Sequence, residues 1–266
     1  MKSCISGSHG FIGTHLTEKL TQIGHVVVPI TQELLYTPQA LADFFELEQP
    51  DYIFHLAAYG NMSEQKEVVK TVMANYIGTY NMLDASCGID YKKFINFSTS
   101  SVLLPTETFY SATKAGAERL SNAFRQQLHK PIITIRPFSI YGENEADFRF
   151  IPTLIWCLLS EESMSIDLLP THDWVYVKEF IDKLLKVIET DRDIVNMGTG
   201  ISYSNLEVKN MLEEISGKKL NYATVSHLRS YDTTKWVSPQ KTIKSDLKEG
   251  LTKTYEWYKK RYEKQR

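Results

Sequence analysis

The sequence contains few cysteines and no long apolar run. Only three cysteines, Cys4, Cys87 and Cys157, are spread over 266 residues. An odd, widely spaced set argues against a disulfide framework or a metal site, and it favours reduced thiols packed as small hydrophobic side chains. The densest apolar run covers residues 151–159, which is far too short to cross a bilayer. We therefore expect no metal site and no membrane partner.

A charge excess, an internal repeat and a low-complexity segment are also missing. Lysine and arginine total 30 against 32 aspartates and glutamates, so the formal net charge is -2. A nearly neutral chain gives no electrostatic reason to expect nucleic acid as a partner. The hydrophobic fraction of 42% is that of an ordinary globular protein. Because a glycine-rich turn follows the first predicted strand directly, we expect no signal peptide and a cytoplasmic location.

That turn lies between a predicted strand over residues 2–6 and a predicted helix over residues 11–23. Its glycines, Gly7, Gly10 and Gly13, have the spacing Gly-x-x-Gly-x-x-Gly. The first allows a tight turn, the second lets the backbone approach a pyrophosphate, and the third lets the helix pack closely on the strand. Since a strand precedes the turn and a helix follows it, the pattern predicts a dinucleotide site.

The end of the second predicted strand bears on the choice between NAD and NADP. An acidic residue at this point typically binds the adenosine ribose of NAD. Here the strand over residues 25–30 ends in Thr31, and Glu33 comes slightly later. No arginine stands nearby to bind a 2′-phosphate, although His9 in the glycine turn could contact one. The sequence leaves the cofactor open, with a slight preference for NADP.

Strands and helices alternate from the first residue onward, which predicts an α/β fold with a doubly wound parallel sheet of the Rossmann type. We assign residues 1–145 to this NAD(P)-binding domain, with a strand and a helix returning to it at about residues 171–200. Residues 146–266 form mainly a smaller C-terminal α/β substrate-binding lobe. Asn75 is polar within an amphipathic helix predicted over residues 64–87, so we expect it to brace a neighbouring loop; the alternative is an exposed polar residue on the helix surface.

Tyr110 and Lys114 stand four residues apart at the start of a predicted helix, a step that returns to the same helical face. A nearby cation lowers the cost of ionising a phenol, which makes it usable as an acid or base near neutral pH. Thr99 and Ser100 follow the fourth predicted strand, where their hydroxyls could bond a substrate oxygen. The small residues Ala57 and Ala58 leave room for a ligand at the end of the third strand.

Together these motifs resemble the extended short-chain dehydrogenase/reductases of the NAD-dependent epimerase/dehydratase family, which act on nucleotide-linked sugars. The similarity covers nearly the whole chain, and the motifs stand in the family's order. They are Gly7-x-x-Gly10-x-x-Gly13, His55-Leu56-Ala57-Ala58, Thr99 before Tyr110-x-x-x-Lys114, Arg136-Pro137, Asp173-Trp174-Val175-Tyr176-Val177, and Asn196-x-Gly198-Thr199-Gly200.

The resemblance implies catalytic roles for Thr99, Tyr110 and Lys114. Tyr110 would be the acid/base, Lys114 would hold the nicotinamide ribose and lower the pKa of the phenol, and Thr99 would bond the reacting sugar oxygen. Expected cofactor contacts are Gly7, His9, Gly10, Phe11, Ile12, Gly13, Thr31, Leu56, Ala57, Ala58, Tyr110, Lys114 and Pro137. Expected contacts with a nucleotide-diphosphate sugar are Ser100, Ser139, Arg149 and Arg229.

The resemblance also implies a homodimer, formed through the helices over residues 64–87 and 110–129. Departures from the family pattern narrow the activity. Family dehydratases carry an Asp-Glu pair after the catalytic threonine, whereas this chain has Ser100 and Ser101, so we expect no dehydration. His172 replaces a usual arginine, and we expect it to be structural.

The short loop over residues 102–109 is most similar to the 4-ketoreductases that make CDP-linked dideoxyhexoses such as abequose and paratose, while residues 32–45 are more similar to GDP-fucose synthase. The leading hypothesis is therefore NAD(P)H-dependent reduction of a 4-keto sugar nucleotide, with Tyr110 as the proton donor. A nucleotide-sugar 4-epimerase is the alternative, since the same three catalytic residues serve it equally well. A non-catalytic dinucleotide-binding protein is a second alternative, which the intact catalytic set argues against.

Overall fold

The computed structural model describes residues 1–61, 65–105, 107–226 and 236–265. Arg229, one of the predicted substrate contacts, lies outside these residues. The chain divides into two compact units: Met1–Pro137 with Leu184–Val195, and Phe138–Lys183 with Asn196–Arg266. None of the helices in the described part of the chain combines the length and the apolar character needed to cross a bilayer.

The first unit is built on a parallel sheet. Its strands are β1 (Lys2–Ser6), β2 (Val26–Ile30), β3 (Tyr52–His55), β4 (Lys93–Phe97), β5 (Ile132–Pro137) and β10 (Ile194–Met197, whose last two residues belong to the second unit). The order across the sheet is β10-β5-β4-β3-β1-β2. The connections therefore reverse direction between β1 and β3, and ligands of doubly wound folds bind at the carboxyl ends of strands at such a point. The predicted fold class is confirmed.

Helices flank this sheet and close its core. They are α1 (Phe11–Gln22), α2 (Gln32–Leu35), α3 (Pro38–Glu48), α4 (Val68–Val72), α5 (Gly78–Ala85) and α6 (Phe109–Leu128). Apolar side chains of the strands, including Cys4, Ile53 and Phe94, pack with Phe45 of α3 and Met82 of α5, and all five are fully buried. The alternation of apolar strands and amphipathic helices thus predicts the layers correctly.

The helical stretch predicted from about residue 64 to residue 87 is present for most of its length, with two differences. Helical structure begins only at Val68, and the stretch consists of α4, a π-helical turn over Met73–Ile77, α5 and a 3₁₀ turn over Ser86–Gly88. A π turn widens the helix by one residue, and the apolar spacing on either side does not reveal it.

Within the described residues, the second unit contains three two-stranded sheets and four helices. β6 (Ser139–Tyr141) pairs with β9 (Trp174–Tyr176), β8 (Thr171–His172) with β11 (Tyr203–Ser204), and β7 (Ser163–Ile166) with β12 (Asn221–Thr224). The helices are α7 (Phe150–Ser160), α8 (Val177–Val187, which continues into the first unit), α9 (Asn205–Ser216) and α10 (Leu247–Gln265). The helix α9 begins with a capping box, in which Ser204 and Glu207 exchange hydrogen bonds.

Candidate active site

The glycine turn has the shape that a pyrophosphate site requires. Gly7 has a φ of +74°, and a Cβ at this position would lie 2.9 Å from the Ala57 backbone nitrogen. A Cβ on Gly13 would collide with the Gly7 carbonyl oxygen. No side chain caps the start of α1 at Gly10, so the first-turn N–H groups remain available to an anion. The turn therefore fits the diphosphate of a dinucleotide.

The other predicted cofactor residues lie in loops and turns that follow the strands. Phe11 and Ile12 form the first turn of α1, and Leu56, Ala57 and Ala58 follow β3 directly. Pro137 ends β5, Thr31 follows β2, and His9 lies in the glycine turn. Carboxyl ends of parallel strands meet at one edge of a sheet. These residues therefore lie at the same edge of the sheet, near the carboxyl ends of its inner strands. Thr31 is the exception, because it follows the outermost strand β2.

Glu33 lies in the first turn of α2, three residues beyond the end of β2, near the place where a ribose-binding carboxylate is expected. A hydrogen bond from its own backbone N–H, followed by one from the Thr31 hydroxyl, lowers the pKa of the Glu33 carboxyl. The side chain is therefore ionised at neutral pH, and Thr31 acts as its hydrogen-bond donor.

A buried histidine holds the end of β3 in place. His55 is fully buried, with Nδ1 2.7 Å from Ser6 Oγ and Nε2 3.0 Å from Thr79 Oγ1. Thr79 Oγ1 donates its proton to the Asn75 carbonyl oxygen at 2.7 Å, so it must accept a hydrogen bond from Nε2–H of His55. Burial, and then the charge of Lys114, lower the pKa of His55 to about 3. This imidazole is a neutral brace.

Asn75 braces a loop, as the sequence predicts. Its Oδ1 accepts from the Tyr59 N–H at 2.9 Å, and its Nδ2 donates to the Tyr59 carbonyl oxygen at 2.8 Å. The same Nδ2 donates to Thr113 Oγ1 at 3.1 Å, and Thr113 in turn donates to the Tyr110 carbonyl oxygen at 3.0 Å. The π turn thus ties the loop after β3 to the first turn of α6.

The helix α6 presents the predicted acid/base pair. It begins with a capping box between Thr108 and Ser111, which fixes the first turn that carries Tyr110. Lys114 lies one turn later and is only 1% exposed. Burial lowers the pKa of Lys114 to about 8, against the opposing attraction of Glu118. At neutral pH the side chain is therefore mostly an ammonium, in a place where water does not screen its charge.

A buried salt bridge stands behind Lys114, and sequence reasoning missed it. Arg136 Nε lies 2.7 Å from Glu118 Oε1, and Arg136 Nη2 lies 2.5 Å from Glu118 Oε2. Both side chains are largely buried, at 18% and 8% exposure. Because the two residues lie on α6 and β5, only the Arg136-Pro137 motif signalled that the arginine matters.

The predicted substrate hydroxyls follow β4. Thr99 is mostly buried, and its Oγ1 accepts from the Ser101 N–H and donates to Ser101 Oγ, both at 3.1 Å. Ser100 is 3% exposed. Ser101 thus occupies the space beside Thr99 with a neutral hydroxyl, where the resembled dehydratases carry a carboxylate.

Two predicted substrate residues belong to the second unit. Ser139 begins β6, and its Oγ lies 3.4 Å from His172 Nδ1. The His172 ring contacts Trp174 and Trp236, with centroids 4.9 Å and 5.7 Å away. Arg149 is the N-cap residue of α7. His172 is therefore part of an aromatic cluster, in agreement with a structural role.

The Asp173 and Gly198-Thr199-Gly200 motifs meet in the second unit. The buried carboxylate of Asp173 accepts from the N–H groups of Thr199, Gly200 and Ser238 at 2.8, 2.9 and 3.0 Å. A Cβ on Gly198 would lie 2.7 Å from this carboxylate. These motif residues bind one another and hold the turn after β10. In the described part of the chain, no group of three or more His, Cys, Asp or Glu side chains could hold a metal ion.

A model of the NAD dependent epimerase/dehydratase family matches residues 3–198 of this chain. A dTDP-D-glucose 4,6-dehydratase of Dictyostelium discoideum is 27% identical over 81% of this chain, but the match spans only 62% of that enzyme. An uncharacterized UDP-glucose epimerase of Bacillus subtilis, YtcB, is 25% identical over 95% of this chain and 96% of its own length.

Among solved structures, a UDP-glucuronic acid 4-epimerase of Bacillus cereus, in complex with UDP-glucuronic acid and NAD, is similar to the fold described above. It is 25% identical, has a TM-score of 0.83, and the match covers 98% of this chain and 100% of that one.

Proposed function

Because this chain belongs to the NAD dependent epimerase/dehydratase family, we propose that it is a nucleotide-sugar 4-epimerase. The observation that carries the proposal is the placement of Tyr110 and the buried ammonium of Lys114 on α6, in the same unit as the glycine turn. The similarity to a UDP-glucuronic acid 4-epimerase supports inversion at C4. This proposal replaces 4-ketoreduction as the leading hypothesis.

The proposed cofactor is NAD. When bound, NAD accepts a hydride from the sugar carbon and returns it to the opposite face, with no net oxidation. The glycine turn would hold the diphosphate, and the ionised Glu33 would accept hydrogen bonds from the ribose hydroxyls. A carboxylate at this position repels the 2′-phosphate of NADP. The NADP preference drawn from the sequence alone therefore loses its support.

Two side chains of α6, Tyr110 and Lys114, would carry out the proton transfer to and from the sugar hydroxyl. Tyr110 would take the proton of the sugar hydroxyl and later return it, and the adjacent charge of Lys114 would stabilise the phenolate between these steps. Thr99 would bond the same sugar oxygen. The Ser139 hydroxyl and the Arg149 guanidinium are proposed contacts of the substrate's sugar and diphosphate, in line with the resemblance.

Dehydration is disfavoured by the neutral hydroxyls at Ser100 and Ser101. Elimination of water needs an acidic and a basic side chain that act on adjacent carbons of the sugar. Here Ser101 stands where such a side chain is expected, and its Oγ accepts a hydrogen bond from Thr99. 4-Ketoreduction is the second candidate. One observation favours it: residues 104–108 alone separate the 3₁₀ turn Ser100–Leu103 from α6, which agrees with the compact loop of the resembled ketoreductases.

A homodimer is also proposed. The exposed face of α4, the π turn and α5 carries apolar side chains at three- and four-residue steps, including Val69, Val72, Met73 and Tyr80 at 75%, 36%, 38% and 41% exposure. Pairing with the same surface of a second copy of the chain would bury these apolar side chains in a symmetric dimer interface.

The experiment that tests the function asks whether the dinucleotide is retained through turnover, as in an epimerase, or consumed once per turnover, as in a ketoreductase. The purified protein is denatured, and the released dinucleotide is identified by mass spectrometry. Intact protein is then incubated with UDP-glucose or UDP-glucuronic acid without added cofactor, and the C4 epimers are separated by chromatography. Retained NAD and epimer formation are expected. Turnover that requires stoichiometric NAD(P)H and a 4-keto substrate would instead establish the ketoreductase.

A further inference from the structure

Three functional groups follow one another along α6 at four-residue steps. Tyr110, Lys114 and Glu118 therefore lie along one side of the helix. Tyr110 is half-buried, whereas Lys114 and Glu118 are 1% and 7% exposed. An ammonium and a carboxylate are thus both withdrawn from water behind the reactive phenol. Burial of such charges is costly unless each is compensated.

The compensation is uneven. Glu118 receives two hydrogen bonds from Arg136, so its carboxylate is fixed in orientation and already paired. Lys114 is 1% exposed, and the attraction that opposes the cost of burying its charge comes from Glu118. The fully buried His55 is neutral and offers no charge. Two cations therefore depend on the single carboxylate of Glu118.

We propose that Glu118 is a positioning residue of the active site: its carboxylate, oriented by Arg136, maintains the charged form of Lys114 behind Tyr110. The salt bridge is then more than a link between α6 and β5. Without the carboxylate, the attraction that opposes the burial cost of the Lys114 ammonium would be lost, and the deprotonated amine would be favoured.

The charged and titratable groups around Lys114 are few. Glu118 and Tyr110 share its helix, His55 of β3 feels its charge, and Arg136 of β5 binds Glu118. Glu118 raises the pKa of Lys114, while burial lowers it. The direction in which loss of Glu118 shifts the pKa of Lys114 follows from these two effects. Removal of the Glu118 carboxylate therefore lowers the pKa of Lys114.

The test measures the pKa of Lys114 directly in the intact protein. Lysines are labelled with ¹³C and ¹⁵N, and the side-chain NMR signal that disappears in Lys114→Arg is followed from pH 6 to 10. We expect a midpoint of about 8 in the natural sequence. In Glu118→Gln the midpoint should fall by about one pH unit, a tenfold change in the ratio of charged to neutral lysine.

A matched control removes another carboxylate that pairs with α6. Asp193 binds Arg125 of α6 at 2.7 Å, and Asp193→Asn should leave the Lys114 midpoint unchanged. An unchanged midpoint in a folded Glu118→Gln protein would overturn the proposal. Should that variant not fold, Glu118→Asp decides in its place: the shorter side chain moves the carboxylate away from Lys114, so the midpoint should fall, and an unchanged or raised midpoint is the contrary result.

A second measurement links the pair to turnover, and this part rests on the proposed function. The alkaline limb of the pH profile of kcat/KM should move to lower pH in Glu118→Gln by the same amount as the NMR midpoint. A merely structural role would lower activity at every pH without moving the limb. A shifted NMR midpoint in a protein that epimerises no sugar nucleotide would contradict the function and leave the role of Glu118 intact.

Discussion

The phenol of Tyr110 is the group on which the proposed chemistry depends. Tyr110→Phe removes the hydroxyl and retains the ring, so turnover should fall by about 10²- to 10⁴-fold, the usual contribution of a positioned acid/base. Binding of NAD, measured by calorimetry, should change little, because the glycine turn and Lys114 remain. Tyr36→Phe, the same change at the end of α2, is the control and should keep full activity. Equal turnover in both variants would refute the acid/base assignment.

Single residues also show where sequence reasoning stops. Asn75 could be identified because a polar residue within an apolar helical pattern needs a buried partner. The Arg136–Glu118 pair could not, because its members are 18 positions apart on different elements, and the Arg136-Pro137 motif does not reveal the partner of the arginine. Similarly, the neutral state of His55 depends on burial and on the charge of Lys114, which spacing along the chain does not encode.

At the scale of elements, the π turn Met73–Ile77 joins the loop after β3 to the first turn of α6 through Asn75. Asn75→Ala removes three hydrogen bonds and leaves polar backbone groups of Tyr59 unpaired. We expect the free energy of unfolding in urea to fall by about 2–3 kcal/mol, with weaker NAD binding. Asn122→Ala, on the exposed side of α6, should cost much less. Equal losses in the two variants would contradict this role.

The helix α9 carries a charge cluster that makes stability depend on pH. Glu213 is buried between Lys209 and Lys219, at 2.9 Å and 2.7 Å. Burial acts to raise the pKa of Glu213, but the hydrogen bonds from both lysines and from the Leu220 N–H outweigh it and lower the pKa to about 2. An unfolded glutamate has a pKa of about 4.3. The cluster therefore stabilises the fold above pH 4.3, and its contribution is lost as the pH falls toward 2.

Glu213→Gln tests this effect. The variant should be less stable at pH 7, and the difference from the natural sequence should shrink between about pH 4.5 and 2.5, as followed by urea unfolding at each pH. Glu214→Gln changes the neighbouring exposed carboxylate, whose partner is Lys248, and should affect stability little at either pH. A constant difference across the whole range would show that Glu213 does not titrate in this window.

For the whole molecule, the alternating pattern of strands and helices was sufficient to predict the sheet, because the strands β1 to β4 are short apolar runs and a helix comes after each of them before the next strand. The second unit was harder to predict. Its strands have two to four residues, such as Thr171–His172 and Tyr203–Ser204, and each pairs with a segment distant in sequence. Strands this short have no detectable period, so their pairing depends on tertiary contacts.

The exposed apolar stripe on α4, the π turn and α5 predicts that the whole molecule forms a homodimer. Charged side chains within a self-complementary apolar stripe repel their own copies, so Val69→Glu with Met73→Glu should convert the proposed dimer to a monomer. Size-exclusion chromatography with light scattering measures the mass. Leu47→Glu on α3, at 79% exposure, is the control and should remain dimeric. A monomeric natural protein, or a double variant of unchanged dimeric mass, would exclude this surface as the interface.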